Sequence, residues 1–137
     1  MSTSSVRPPS TDCYRSSIDK ETQVGRLQRE NFRKTFQAGA LMGFGTDAGV
    51  YPHGDNWKQL PKMVEWGMKP IDAIRAATVN GAEIMGWSDR VGSIEKGHYA
   101  DIIAVDGDPL TDISVMGKMK LVVKSGEVYR NDFARGE

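Results

Sequence analysis

Residues 40–56, ALMGFGTDAGVYPHGDN, decide how this chain is read. Ala40 to Gly45 is apolar on both faces and ends in glycine, which predicts a short buried parallel strand rather than half of an exposed hairpin. Thr46-Asp47-Ala48-Gly49 closes that strand, and the residues from Val50 to Asn56 form a loop. A carboxylate, Asp47, therefore stands at the strand's end, and a histidine, His53, stands in the loop beyond it.

Working outward, Glu21 to Ala38 favours helix. Val24, Leu27, Phe32 and Phe36 supply its apolar side, and Gly39 is a stop signal. Residues 1–20, rich in Ser, Thr and Pro, read as a disordered or loosely attached tail. On the other side, Trp57, Leu60, Val64 and Met68 recur at helical spacing, with Pro61 near the start of the regular part. A second helix is expected from Pro70 to Met85, with Ile71, Ile74, Thr78, Ala82 and Met85 on one face. Trp57, Trp66 and Trp87, and the methionines at 63, 68 and 85, read as core or packing residues.

After Gly86 the period changes. Gly92 to Gly97 reads as a strand and turn, with His98 in the connecting turn, and Ala100 to Val105 as a buried strand. Lys120 to Lys124 and Glu127 to Arg130 flank Ser125-Gly126, a hairpin signal. The order of elements describes the end of an α/β unit followed by a small β piece. The expected division is a tail at 1–20, a helical part at 21–88 and a β part at 89–137.

The 137 residues fit one domain, and 26% charged with 39% hydrophobic residues suits a soluble globular chain. Lys plus Arg and Asp plus Glu both number 18, so there is no electrostatic case for nucleic acid or an anionic membrane as partner. No apolar run approaches the roughly 20 residues that cross a bilayer. The N-terminus lacks the apolar core of a signal peptide, and the lone Cys13 makes a reducing cytoplasm the default location. With only His53 and His98, a histidine-rich metal centre within this chain is nearly excluded.

The stretch from Phe32 to Gly86, followed by DRVGSIEKGHYADIIAVDGDPLTDI at 89–113, closely resembles the C-terminal part of the amidohydrolase family. The branch it is most similar to contains the imidazolonepropionase-like and Xaa-Pro dipeptidase-like enzymes. The resemblance covers roughly residues 28–130. It implies an α/β fold: the last β/α unit of a (β/α)8 barrel, with the C-terminal strands of an accompanying β-sandwich. On that pattern Leu41 to Gly45 is the eighth barrel strand.

The resemblance also implies one or two metal ions, usually zinc, and makes Asp47 a metal ligand that takes a proton from the attacking water. A metal lowers the pKa of bound water towards about 7 and polarises a carbonyl, and a nearby carboxylate can shuttle the proton. The implied reaction is hydrolysis of C–N bonds, amide or cyclic amide, in small molecules or dipeptides. On the residues alone, Asp47 reads as a turn residue or helix cap. His53 either faces substrate or is an exposed loop histidine, and Asp47, His53 and Asp55 are candidates for a local three-ligand site.

The family's remaining ligands, a His-x-His pair, a lysine or glutamate and two further histidines, belong upstream of the matching residues. A full barrel needs about 250 residues, so the chain is expected to be a fragment with an unrelated head, binding no metal and inactive alone. The rival expectation is a non-catalytic remnant that self-associates, because a lone ALMGFG strand leaves an unpaired edge. Pairing with a separate chain that carries the rest of the barrel is the third.

Overall fold

Phe32 and Phe36 lie four residues apart, which puts both on one side of a helix. In the computed structural model, which describes residues 11–49 and 52–133, that helix is α1, Thr11–Gln37. Gly39 ends it with φ at +76°, as the stop signal predicts. The start differs from expectation by ten residues, so 11–20 is helix rather than tail; residues 1–10 lie outside the described part. No proline or glycine interrupts 11–20, and adding a residue to a formed helix costs far less than starting one. Lack of an apolar stripe did not stop the helix there.

Ala40–Ala48 is the larger correction. Among the described residues it joins no β-ladder, although its exposure alternates from Leu41 to Gly49, the period of an extended chain. A parallel strand is defined by its neighbours, and none is supplied by the described residues. The segment is held instead by helices, as described below.

Two helices follow a short 3-10 turn at His53–Lys58. Helix α2 is Gln59–Glu65, with Pro61 in its first turn, and α3 is Pro70–Ala77 with proline at its start. The single helix expected over Pro70 to Met85 is broken at Thr78 (φ −126°, ψ −98°), and α4 resumes at Val79–Ile84. The Thr78 hydroxyl donates to the Ile74 carbonyl at 2.8 Å, a local bond that competes with the helical ladder. The break rotates the buried face: Ala73, Ala76 and Ala82 are buried, while Met85 is 61% exposed and Ile71 also faces solvent. Met63 and Met68 are core, as expected of them.

The core joins α1, the extended segment, α2, α3 and a 3-10 turn at Ile113–Gly117. Leu60, Met63, Met68, Ala73, Ala76 and Ile113 are buried, with Phe32, Phe36, Met42 and Phe44 packed against them. Phe32 meets Trp66 edge-on at 5.5 Å, a geometry worth about 1 kcal/mol beyond burial. Arg33 Nε donates to the Trp66 carbonyl at 3.0 Å on the same seam.

The β piece is a three-stranded antiparallel sheet in the order β1-β2-β3: Ile102–Val105, Met119–Lys124 and Glu127–Asn131. The hairpin turn falls at Ser125-Gly126, with φ of 50° and 82°, the signs a type I′ turn requires. Gly92 to Gly97 forms turns without a strand, and β1 is half-buried rather than buried, with Ile103 exposed. Among the described residues no second sheet covers these strands.

Candidate functional site

Asp47 ends the extended segment with φ at +47°, a left-handed conformation that aspartate tolerates better than most residues. Its side chain is exposed. The residues before it are fixed at three points. Phe44 N–H donates to the Ala76 carbonyl at 2.9 Å, and Asn80 Nδ2 donates to the Met42 carbonyl at 3.1 Å. Thr46 Oγ1 donates to Asn56 Oδ1 at 3.1 Å, half-buried, which ties the segment to the far end of the following loop. Backbone groups of Met42 and Phe44 are thus satisfied by helices α3 and α4 in place of a neighbouring strand.

His53 opens the 3-10 turn and is exposed. Asp55 is engaged in an ion pair with Lys58 at 2.9 Å. No three His, Cys, Asp or Glu side chains among the described residues are placed to hold a metal ion, so the local Asp47–His53–Asp55 site is not formed. One exposed carboxylate stands where zinc takes three or four ligands, and the described residues do not fit a zinc site by themselves.

The perturbed carboxylates lie elsewhere and have structural partners. Backbone donation from Ser125 to Asp101 at 2.7 Å holds that carboxyl below the usual range. Asp108 is lowered by Leu110 N–H and the Thr111 hydroxyl, and Asp112 by the hydroxyl and N–H of Ser114. These bonds close turns and cap a short helix, a folding role rather than a catalytic one. His98, half-buried, has Nδ1 3.2 Å from Ser93 Oγ.

An apolar cleft of about 590 Å³ opens between the extended segment, α3, α4 and β1, lined by Gly43, Phe44, Ile74, Ala82, Met85 and Ile102 among others. Asp47 and His53 do not line it. No helix among the described residues is long and apolar enough to cross a membrane.

The residues that sequence reading missed are Thr46, Asn56 and Asn80, the polar clamps on either side of Asp47. Asn80 carried the only usable signal, as a polar residue between the apolar positions of a helix. Asn56 had none, because its partner is ten residues away across a loop.

Residues 5–129 match the model of the amidohydrolase family. The match begins well before residue 21, so most of the stretch expected to lie outside the resemblance falls within it. Ochratoxinase of Aspergillus niger is 34% identical over 104 residues, 72% of this chain and 21% of that protein. Imidazolonepropionase of Flavobacterium psychrophilum is 42% identical over 82 residues, 58% of this chain and 20% of the relative. Among solved structures, a Xaa-Pro dipeptidase with methionine bound in its active site superposes with a TM-score of 0.77 at 44% identity. That superposition covers 82% of this chain and 28% of the dipeptidase. The chain thus spans about a fifth of the curated relatives and about a quarter of the solved one.

Proposed function

Since this chain belongs to the amidohydrolase family, we propose that it carries the closing segment of a metal-dependent hydrolase of C–N bonds, with Asp47 as its one metal-binding and proton-handling carboxylate. In that reading the extended segment is the last strand of a (β/α)8 barrel. Helices α2 to α4 close the barrel, and β1–β3 are the C-terminal share of a β-sandwich. Asp47 stands at the C-terminal end of its segment, the end at which this barrel's catalytic groups gather.

The observation that carries the reading is the placement of Asp47. It is solvent-facing, in a left-handed conformation, and the residue beside it is clamped to Asn56. An exposed carboxylate with no hydrogen bond or ion pair to the described residues is available to a ligand, and a fixed neighbour limits its wandering. His53, in the open loop next along the chain, is the candidate for contact with substrate. The relatives point to the substrate class, small molecules or dipeptides with an amide or cyclic amide bond, and zinc is the metal, one ion or two. A reducing cytoplasm suits the lone Cys13.

Asp47 is one ligand, so the others belong to the three-quarters of the relatives' length that these residues do not span. Metal analysis of the purified 137-residue chain tests that division. It should hold substoichiometric zinc and hydrolyse neither dipeptides nor cyclic amides. Tight stoichiometric zinc would mean that Asp47, His53 and Asp55 converge after all.

A further inference from the structure

We propose that Asn56 is a positioning residue for Asp47: it ties the loop between them back to Thr46, and Trp57 beside it anchors that tie to the core; this rests on Asp47 being the working carboxylate of the proposed hydrolase. Thr46 and Asp47 are neighbours that face opposite ways. From Leu41 to Gly49 exposed and half-buried residues alternate, so Thr46 looks towards the helices while Asp47 looks out. The Thr46 hydroxyl donates to Asn56 Oδ1 at 3.1 Å on the sheltered side. A bond there fixes the backbone that carries Asp47 without occupying its carboxylate, which stays open to a ligand.

Asn56 is itself held. It lies in the 3-10 turn His53–Lys58, where the Gln59 N–H donates to its carbonyl and the Asp55 N–H donates to the Pro52 carbonyl at 2.9 Å. Trp57, the next residue, lies against Gly117: a Cβ at Gly117 would stand 2.6 Å from the ring, so the indole fills space that only glycine leaves. Gly117 ends the 3-10 turn whose Ile113 and Val115 are buried. Support therefore runs from the core through Gly117 and Trp57 to Asn56, and from there through Thr46 to Asp47.

Asp47 needs such support because it holds φ at +47°. A residue other than glycine is strained there, and the conformation persists only where the surroundings over-determine it. Asp47 has no hydrogen bond of its own to the described residues, so the restraint reaches it through Thr46. A group that handles a proton must be held within about 0.5 Å of its working place, which a bond one residue away can supply and a free loop cannot.

Amide order parameters from nitrogen relaxation of the 137-residue chain test the role. Asp47 should be rigid in wild type, at about 0.85, and fall below about 0.6 in Thr46→Val and in Asn56→Ala. The double variant should be no more mobile than either single one, since both remove the same bond. Thr46→Ser, which keeps the hydroxyl, should restore the rigidity. Should Asn56→Ala fail to fold, the near-isosteric Thr46→Val decides alone. Activity is read in the Xaa-Pro dipeptidase carrying residues 28–130 of this chain in place of its matching segment. There Thr46→Val and Asn56→Ala should lower kcat about tenfold with KM unchanged, less than the ~10²-fold that a misplacement of about 1 Å can cost. In the Asp47→Asn background neither should lower kcat further. An Asp47 as rigid in both variants as in wild type would overturn the proposal, as would a kcat loss that persists in the Asp47→Asn background. Undiminished kcat in Asp47→Asn itself would instead overturn the reading of Asp47, and the positioning role with it, even where the relaxation results hold.

Discussion

Gly117 lies under the indole of Trp57, and replacing it with alanine should disturb the candidate site from a distance. A Cβ at Gly117 would stand 2.6 Å from Trp57 Cζ2 and 2.8 Å from Cε2 and Cη2. Carbon atoms rest at about 3.5–4.0 Å, so the ring or the 113–117 turn must retreat by about 1 Å. Overpacking of this kind costs about 1–3 kcal/mol. Against that, alanine restricts the unfolded chain and returns about 0.4–1 kcal/mol, since Gly117 has no positive φ to protect. The net loss is about 1–2 kcal/mol, a fall in Tm of about 5 °C for a chain of this size. Trp57 adjoins Asn56, whose Oδ1 holds Thr46, so the loop beside Asp47 should loosen as well. Thermal unfolding followed by circular dichroism and tryptophan fluorescence reads the loss. On a Trp57→Leu background the ring is gone and Gly117→Ala should cost nothing, a coupling of about 1–2 kcal/mol. The reasoning is refuted if Gly117→Ala matches wild type in stability, or if its cost is the same in both backgrounds.

Two further outcomes follow from the β piece. Ser125→Asn should raise stability by about 0.5 kcal/mol, because asparagine accepts the positive φ of the first turn position more readily; urea unfolding checks it, and a loss would contradict the turn assignment. The Asp101, Asp108 and Asp112 carboxyls are depressed in the folded chain, so their stabilisation is complete above the ordinary aspartate value of 3.8 and is lost as pH falls through the lower folded values. Stability should therefore be flat from pH 7 to 5 and fall in acid, less steeply in Asp101→Asn; an identical acid limb in that variant would contradict the Asp101–Ser125 bond.

What could be read from the residues was whatever is fixed locally. Ser125-Gly126 between alternating apolar residues sets the hairpin, and Pro61 and Pro70 mark helix starts because proline is tolerated only there. The break at Thr78 escaped because it depends on one hydroxyl choosing the Ile74 carbonyl, and helical periodicity runs through the break unchanged. Ala40 to Gly45 looked like a buried strand because its composition suits one, but strandhood needs partners that are distant in sequence. What holds it instead, Ala76 and Asn80, lies more than 30 residues on. At the site, Asp47 and His53 were named from the sequence, and the structure puts both in the open. Their proposed third partner, Asp55, was lost to Lys58, a neighbour three residues along that spacing alone did not reveal as the stronger claimant.

The central claim is that Asp47 is one ligand of a larger site. The most direct measurement transplants residues 28–130 of this chain into the Xaa-Pro dipeptidase it resembles at 44% identity, in place of the matching segment, and follows dipeptide hydrolysis with zinc present. The chimaera should turn over. Asp47→Asn should lower kcat by about 10²-fold or more, the loss expected when a proton-handling group is removed, with bound zinc reduced. An Asp47→Asn chimaera with undiminished kcat and full zinc would contradict the account.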